Sequence, residues 1–191
     1  MKRAVLLLAA LGLAGCPLPQ PLPDYPAGTI TPPRILQDQL LEDGAVTLVP
    51  AGCTTVTPEY TLSAGVVDSN TIEGIEARWF VNYANQDPWS TVHQSNQILP
   101  NPDSTNLVRG VPEFVFRPYT YPPPMGTTPV PGPPYNQDRV LHVVELVVSN
   151  GFDPSAVGTN ANRAPKPGFE TQYHRWVFLN TAEVDCSKLL P

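Results

Sequence analysis

An all-β domain, an antiparallel β-sandwich of about seven strands joined by long proline-rich loops, is the architecture this chain predicts. Three observations carry the prediction. Several runs alternate between apolar and polar residues, the period of a strand with one buried face. The 191 residues include 25 prolines and 13 glycines, well above the usual share, and prolines at that density break helices by removing a backbone donor and clashing with the preceding turn. The segments between the strand-like runs carry proline, glycine and asparagine rather than a helical repeat, which argues against a βαβ plan. With 41% hydrophobic and 15% charged residues, the chain has the composition of a folded domain with a core, not of a disordered one.

Residues 1–15 stand apart. Met1-Lys2-Arg3 is basic and Ala4 to Gly15 is a twelve-residue apolar run, the build of a secretory signal and too short for a permanent membrane span. The run ends in Leu13-Ala14-Gly15-Cys16, which resembles the lipobox of bacterial lipoproteins: a branched apolar residue, two small residues, then cysteine. The resemblance implies that Cys16 is acylated and becomes the first residue of the mature protein. Loss of Lys2 and Arg3 would leave 9 basic residues against 17 acidic ones, taking the net charge from −6 to −8. So acidic a surface disfavours nucleic acid and anionic headgroups, so membrane attachment is expected through the lipid alone.

Residues 17–33 hold seven prolines and little that could form a core. Such a segment favours polyproline II, at about 3.1 Å per residue a semi-rigid tether of roughly 50 Å at most. The domain proper is placed at residues 34–191. Its first stretch, Ile35–Glu42, is the one plausible helix. Strands are then expected at Val46–Val49 and over Tyr60–Val66, where Tyr60, Leu62, Ala64 and Val66 alternate with Thr61, Ser63 and Gly65. Ile75, Ala77, Trp79, Val81 and Tyr83 mark the next strand by the same period. Shorter candidates lie at Thr91–Leu99 and Glu113–Arg117. Arg139–Ser149 is long and valine-rich, as a strand covered on both faces would be, and Tyr173–Val184 closes the chain. Pro118–Tyr135, with eight prolines, and Asn150–Gly168 read as loops.

With Cys16 assigned, Cys53 and Cys186 remain as an even pair in an oxidising compartment, and a disulfide between them is expected. It would close a loop of about 133 residues, for which chain entropy alone gives roughly 5 kcal/mol. Neither cysteine has a CxxC partner or a nearby histidine, so a metal pair is not expected.

Val66-Val67-Asp68-Ser69-Asn70 followed by Ile75-Glu76-Ala77-Arg78-Trp79-Phe80 resembles the B–C region of immunoglobulin-like and PKD-like modules. Those families place a turn-forming Asp before a strand with a buried Trp. Leu141–Phe152 is similar to their F strand and the turn after it. Two features depart from the pattern: no Gly-Asp-Gly turn follows Phe80, and Cys53 and Cys186 are not placed like the immunoglobulin inter-sheet pair. The resemblance implies an immunoglobulin-like sandwich and no particular ligand.

The chain has no G-x-S-x-G, H-E-x-x-H, P-loop or G-x-G-x-x-G motif, so an enzyme is not expected, nor a cofactor. His93, His142 and His174 are far apart, and His142 and Glu145, three apart on a strand, point to opposite faces. Asp68, Asn70 and Glu73 offer oxygens to a hard cation such as calcium, the weaker reading beside a turn held by side-chain to backbone bonds. The binding candidate is the loop Arg117–Tyr135, which carries Tyr119, Tyr121, Met125 and Tyr135 among prolines, with Trp89 as a further aromatic. Tyrosines on a stiff loop lose little entropy on contact with a protein or carbohydrate. The expectation is a lipid-anchored domain of the bacterial cell envelope, placed at the outer membrane, with a non-catalytic structural or protein-interaction role and envelope proteins as partners. A carbohydrate- or peptide-binding lipoprotein is the alternative.

Overall fold

Alternation of side chains is what sorts this chain into two layers. The computed structural model describes residues 31–36, 46–83, 91–100, 106–123, 134–158 and 161–189. Cys16, Trp89, Met125 and most of residues 17–33, the expected tether, lie outside them. Eight strands are present among the described residues: β1 (Arg34–Leu36), β2 (Val46–Pro50), β3 (Tyr60–Val67), β4 (Ile75–Val81), β5 (Gln94–Ile98), β6 (Val108–Phe116), β7 (Leu141–Ser149) and β8 (Thr171–Thr181). They form a three-stranded sheet in the order β1-β3-β6 and a five-stranded sheet in the order β2-β8-β7-β4-β5.

The two sheets share one core. Leu62, Ala64 and Val66 of β3 and Phe114 and Phe116 of β6 meet Ile75, Ala77 and Trp79 of β4, Val144, Leu146 and Val148 of β7, and Trp176 and Phe178 of β8. Trp79 is fully buried, stacked between Phe114 (centroids 5.2 Å apart) and Trp176 (5.4 Å). Each large side chain removed from water in this way contributes about 1.5–3 kcal/mol. β7 sits in the middle of its sheet and is covered on both faces, as its valine-rich sequence predicts. On its outer face the segment after it folds back, and Phe152 packs with Phe80 and Val147. There the Glu145 carboxylate, 2% exposed, is held between Arg163 (2.6 Å) and Arg175 (2.5 Å).

Four expectations are corrected. Ile35 and Leu36, expected to open a helix, belong to β1 and pair antiparallel with Val66 and Gly65. A short stretch without a cap gains more from an existing sheet edge than from a lone helical turn. The sandwich is not wholly antiparallel, since β2 runs parallel to β8, Val46 opposite Val177 through Pro50 opposite Thr181. β6 begins at Val108, five residues before the expected Glu113. Pro112 had masked it, and the register shift opposite Leu62 and Ala64 shows why: Leu62 faces Phe114 while Ala64 faces Val111, so Pro112 and Glu113 form a bulge that needs no ladder donor. Finally β4 stops at Val81, before Tyr83, because Asn82 turns into the left-handed region (φ 53°).

Cys53 and Cys186 are bridged, their Cα atoms 5.8 Å apart. The bond fastens the segment after β2 to the turn after β8. Thr31 and Pro33, read from sequence as tether, are buried against the sandwich.

Candidate functional site

Apart from Glu145 on the outer face of β7, the buried polar groups lie toward the two ends of the sandwich, and each end gathers residues that sequence reading had singled out. At the end where β3 leads into β4, Asp68 is 1% exposed. Its Oδ1 accepts from Thr31 Oγ1 (2.5 Å) and the Asn70 amide (2.9 Å), and its Oδ2 accepts from Asn150 Nδ2 (2.9 Å). Asn150 Nδ2 also donates to Glu73 Oε2 (3.0 Å). The Arg109 guanidinium lies 4.0 Å from Asp68 and donates to the carbonyls of Glu73 (2.5 Å) and Asn70 (2.9 Å). Asp68, Asn70 and Glu73 are thus brought together around the cation of Arg109, which takes the carbonyls a metal would use. Burial, then the neighbouring Asp68 charge, raises the Glu73 pKa. Among the described residues no group of three His, Cys, Asp or Glu side chains could hold a metal ion.

The opposite end is neutral and open. Asn82, left-handed at the end of β4, donates its amide to Val143 O (2.8 Å) and accepts the Val143 N–H on Oδ1 (2.9 Å). Its Nδ2 donates to Pro122 O (2.8 Å) and approaches His142 Nδ1 (2.9 Å). One amide therefore ties β4, β7 and the proline-rich loop. An Nδ1 that accepts fits a neutral imidazole, and desolvation lowers the His142 pKa to about 4. The fully buried ring packs edge-on against Phe116 (5.8 Å).

The proline-rich loop opens with a 3-10 turn, Pro118–Thr120, closed by Thr120 N–H to Arg117 O (3.0 Å). Its three described tyrosines part company. Tyr119 is buried, 4% exposed, with its hydroxyl on the Pro50 carbonyl, so it is a core residue rather than a contact residue. Tyr135 is half-buried and serves through its backbone, its N–H donating to Tyr119 O (3.0 Å) and its carbonyl accepting from Asn180 Nδ2 (3.2 Å). Tyr121 is half-buried, stacked on Phe116 (5.5 Å) with His93 edge-on to it (5.1 Å).

Tyr121 and His93 stand in the wall of a cavity of about 360 Å³, completed by Val81, Asn82, Thr91, Thr120 and Pro122. Its lining is mainly apolar, with two threonine hydroxyls and an imidazole for polar contact. Burial lowers the His93 pKa, keeping that ring neutral, and raises that of Tyr121. Sequence reading found Tyr121 but missed Asn82, His93, Thr91, Thr120 and Pro122 as one site. Asn82 occupies an ordinary polar position of the alternating run, so the one available signal was its residue type, which is suited to the left-handed region. The two strand histidines do not meet: His142 lies opposite Phe178, and His174 opposite Leu146, four register steps away, where it packs on Trp176 (4.5 Å). No family, curated protein or solved structure matches this chain.

Proposed function

We propose that this chain is a lipid-anchored, immunoglobulin-like domain of the bacterial cell envelope with a non-catalytic interaction role. The carrying observation is the cavity walled by Tyr121, His93 and Pro122 at one end of a disulfide-fastened sandwich. Rings there are immobilised by stacking and the loop is fixed by the Asn82 amide, so a partner would pay little ordering entropy. The strand order supports the immunoglobulin-like reading. With β3, β4, β6, β7 and β8 taken as B, C, E, F and G, B pairs with E in one sheet and C, F and G lie adjacent in the other. The basic and apolar leader ending at Cys16 supports the anchor, at the outer membrane, with envelope proteins as the partners.

The test is in two parts. Intact-mass measurement of membrane-extracted protein should give the chain from Cys16 plus acyl groups; an unacylated mass ends the anchor reading. A photo-crosslinking residue at position 120 should then trap an envelope protein, and the yield should fall when Tyr121→Ala is added. Equal capture with and without that change would count against the cavity.

The cavity's size favours one second reading, since about 360 Å³ lies in the range of small-ligand sites. Flat rings beside hydroxyls suit a carbohydrate. Titration with chitotriose, followed by chemical shifts at Thr91, His93 and Thr120, should move those signals in the wild type and not in Tyr121→Ala.

A further inference from the structure

Among the described residues the sandwich has four sheet edges, and three are defended against pairing with another strand. β1 is three residues long, and its outward Ile35 amide is taken by Gln172 Oε1 (3.1 Å). β5 is polar over Gln94–Gln97. β6 carries the Pro112 bulge, and the Glu113 carbonyl accepts from Gln94 Nε2 (3.1 Å). Short strands, proline, bulges and capped backbone groups are the usual means of keeping an edge from recruiting a partner.

β2 has none of these over its first four residues, Val46-Thr47-Leu48-Val49. The Ala51 amide donates to Thr181 O (3.0 Å), so by the alternation of a strand Thr47 and Val49 turn their backbone groups to β8. Val46 and Leu48 then turn theirs outward, where no described residue hydrogen-bonds to them. Pro50 also points outward, but it has no N–H and its carbonyl is occupied by the Tyr119 hydroxyl. The side chains at this edge are equally exposed. Val46 and Leu48 are 48% and 49% exposed, and they continue into two aliphatic rows across the sheet: Val46-Val177-Val143 and Leu48-Leu179-Leu141.

We infer that β2 is a self-association edge, on which two copies of the chain pair antiparallel about a two-fold axis through Thr47. A second copy is the occupant whose complementarity can be read off the strand itself. With Thr47 opposite the partner's Thr47, Val46 faces the partner's Leu48, and the two residues exchange both backbone hydrogen bonds. The symmetric pair does the same, so all four outward groups of each strand are satisfied. Each aliphatic row then runs on into the other row of the second copy, six residues long. Moving the register by two would set Val46 opposite the partner's Pro50, which offers neither a donor nor a free carbonyl. The match is isologous, as a two-fold contact must be. The contact is also small, so the association is a weak one, with a Kd of about 10 µM to 1 mM.

The test is sedimentation velocity on the full chain across that concentration range, with detergent present if the chain is acylated. The wild type should move from monomer to dimer. V46K and L48E, each at a half-exposed position, should raise the Kd at least about tenfold. The V46K/L48E double variant should recover dimerisation, because the register sets each introduced lysine opposite an introduced glutamate of the partner. Hydrogen exchange on the wild type gives a measurement independent of any variant. The Val46 and Leu48 amides should gain protection as concentration rises, while those of Thr47 and Val49 stay unchanged. A chain that is monomeric at 1 mM, single variants that dimerise like the wild type, or a double variant that stays monomeric would each overturn the inference. A strand from another protein as the natural occupant would show as the first of these.

Discussion

The two ends of this sandwich solve one problem in opposite ways. Each must bury polar side chains where strands turn back. Around Asp68 the solution is a charge matched from several sides, by Thr31, Asn70, Asn150 and the Arg109 guanidinium. Around Asn82 it is a neutral amide and a neutral imidazole among aromatic rings. The charged end closes on itself. The neutral end has fewer polar partners to gather, and a cavity remains between it and the proline-rich loop. Whether an end keeps a cavity is therefore decided less by the sheets than by how that end satisfies its buried polar groups.

That contrast predicts a graded set of effects. The largest belongs to the charged end. Asp68→Ala leaves Arg109, 7% exposed, without its carboxylate and removes the acceptor of three other groups; about 4 kcal/mol of stability should be lost, read by urea unfolding.

Next comes acid. His142 titrates at about 4 in the folded chain, against about 6.5 unfolded, so the unfolded state binds the proton first as pH falls. Stability from this group is whole above about pH 6.5 and declines toward pH 4, by about 3 kcal/mol in all. Subtracting the profile of His142→Phe from that of the wild type should isolate this slope. If the two profiles run parallel, the neutral end does not depend on an uncharged imidazole.

Asn82→Gly should cost about 2 kcal/mol, because glycine keeps the left-handed backbone but leaves the Val143 amide without its acceptor. It should also loosen the loop, seen as faster hydrogen exchange at Thr120 and Tyr121. The smallest effect is expected at the exposed Arg117–Glu59 pair, where Glu59→Gln should change stability by no more than about 0.5 kcal/mol and leave that exchange unaltered. A large effect there would mean that surface charge, not Asn82, positions the loop.

Strands announced themselves by different prints: alternation in β3 and β4 is that of a pleat with one buried face, while β7 showed as a valine-rich run covered on both faces and β8 as a β-branched and aromatic one. The disulfide was legible as well, because two cysteines were left once Cys16 was set apart. β1 and the first half of β6 were not. The first is too short to show a period, and in the second Gly110 and Pro112 interrupt the pattern at a bulge that only the pairing with β3 explains. The cavity was the least legible part. Asn82 and His142 are 60 residues apart, and nothing in their local sequence says that they meet. Tyr119 and Tyr121 show the same limit at closer range. Two residues apart in one loop, one is spent on the core and the other stands in the cavity wall.

The bond between Cys53 and Cys186 also decides how the molecule answers to tension. A pull between the chain's two ends would enter through the segment before β2 and leave after β8. It would cross from one to the other through sulfur, by-passing the 133-residue separation that the bridge spans. β3 to β8 lie outside that covalent path and would feel the load only through their pairing with β1 and β2. Only β1 and β2 could be drawn out, and because β2 lies parallel to β8, its hydrogen bonds would be sheared together rather than opened one at a time. A domain built this way can be pulled at its ends without losing the shape of the cavity it carries.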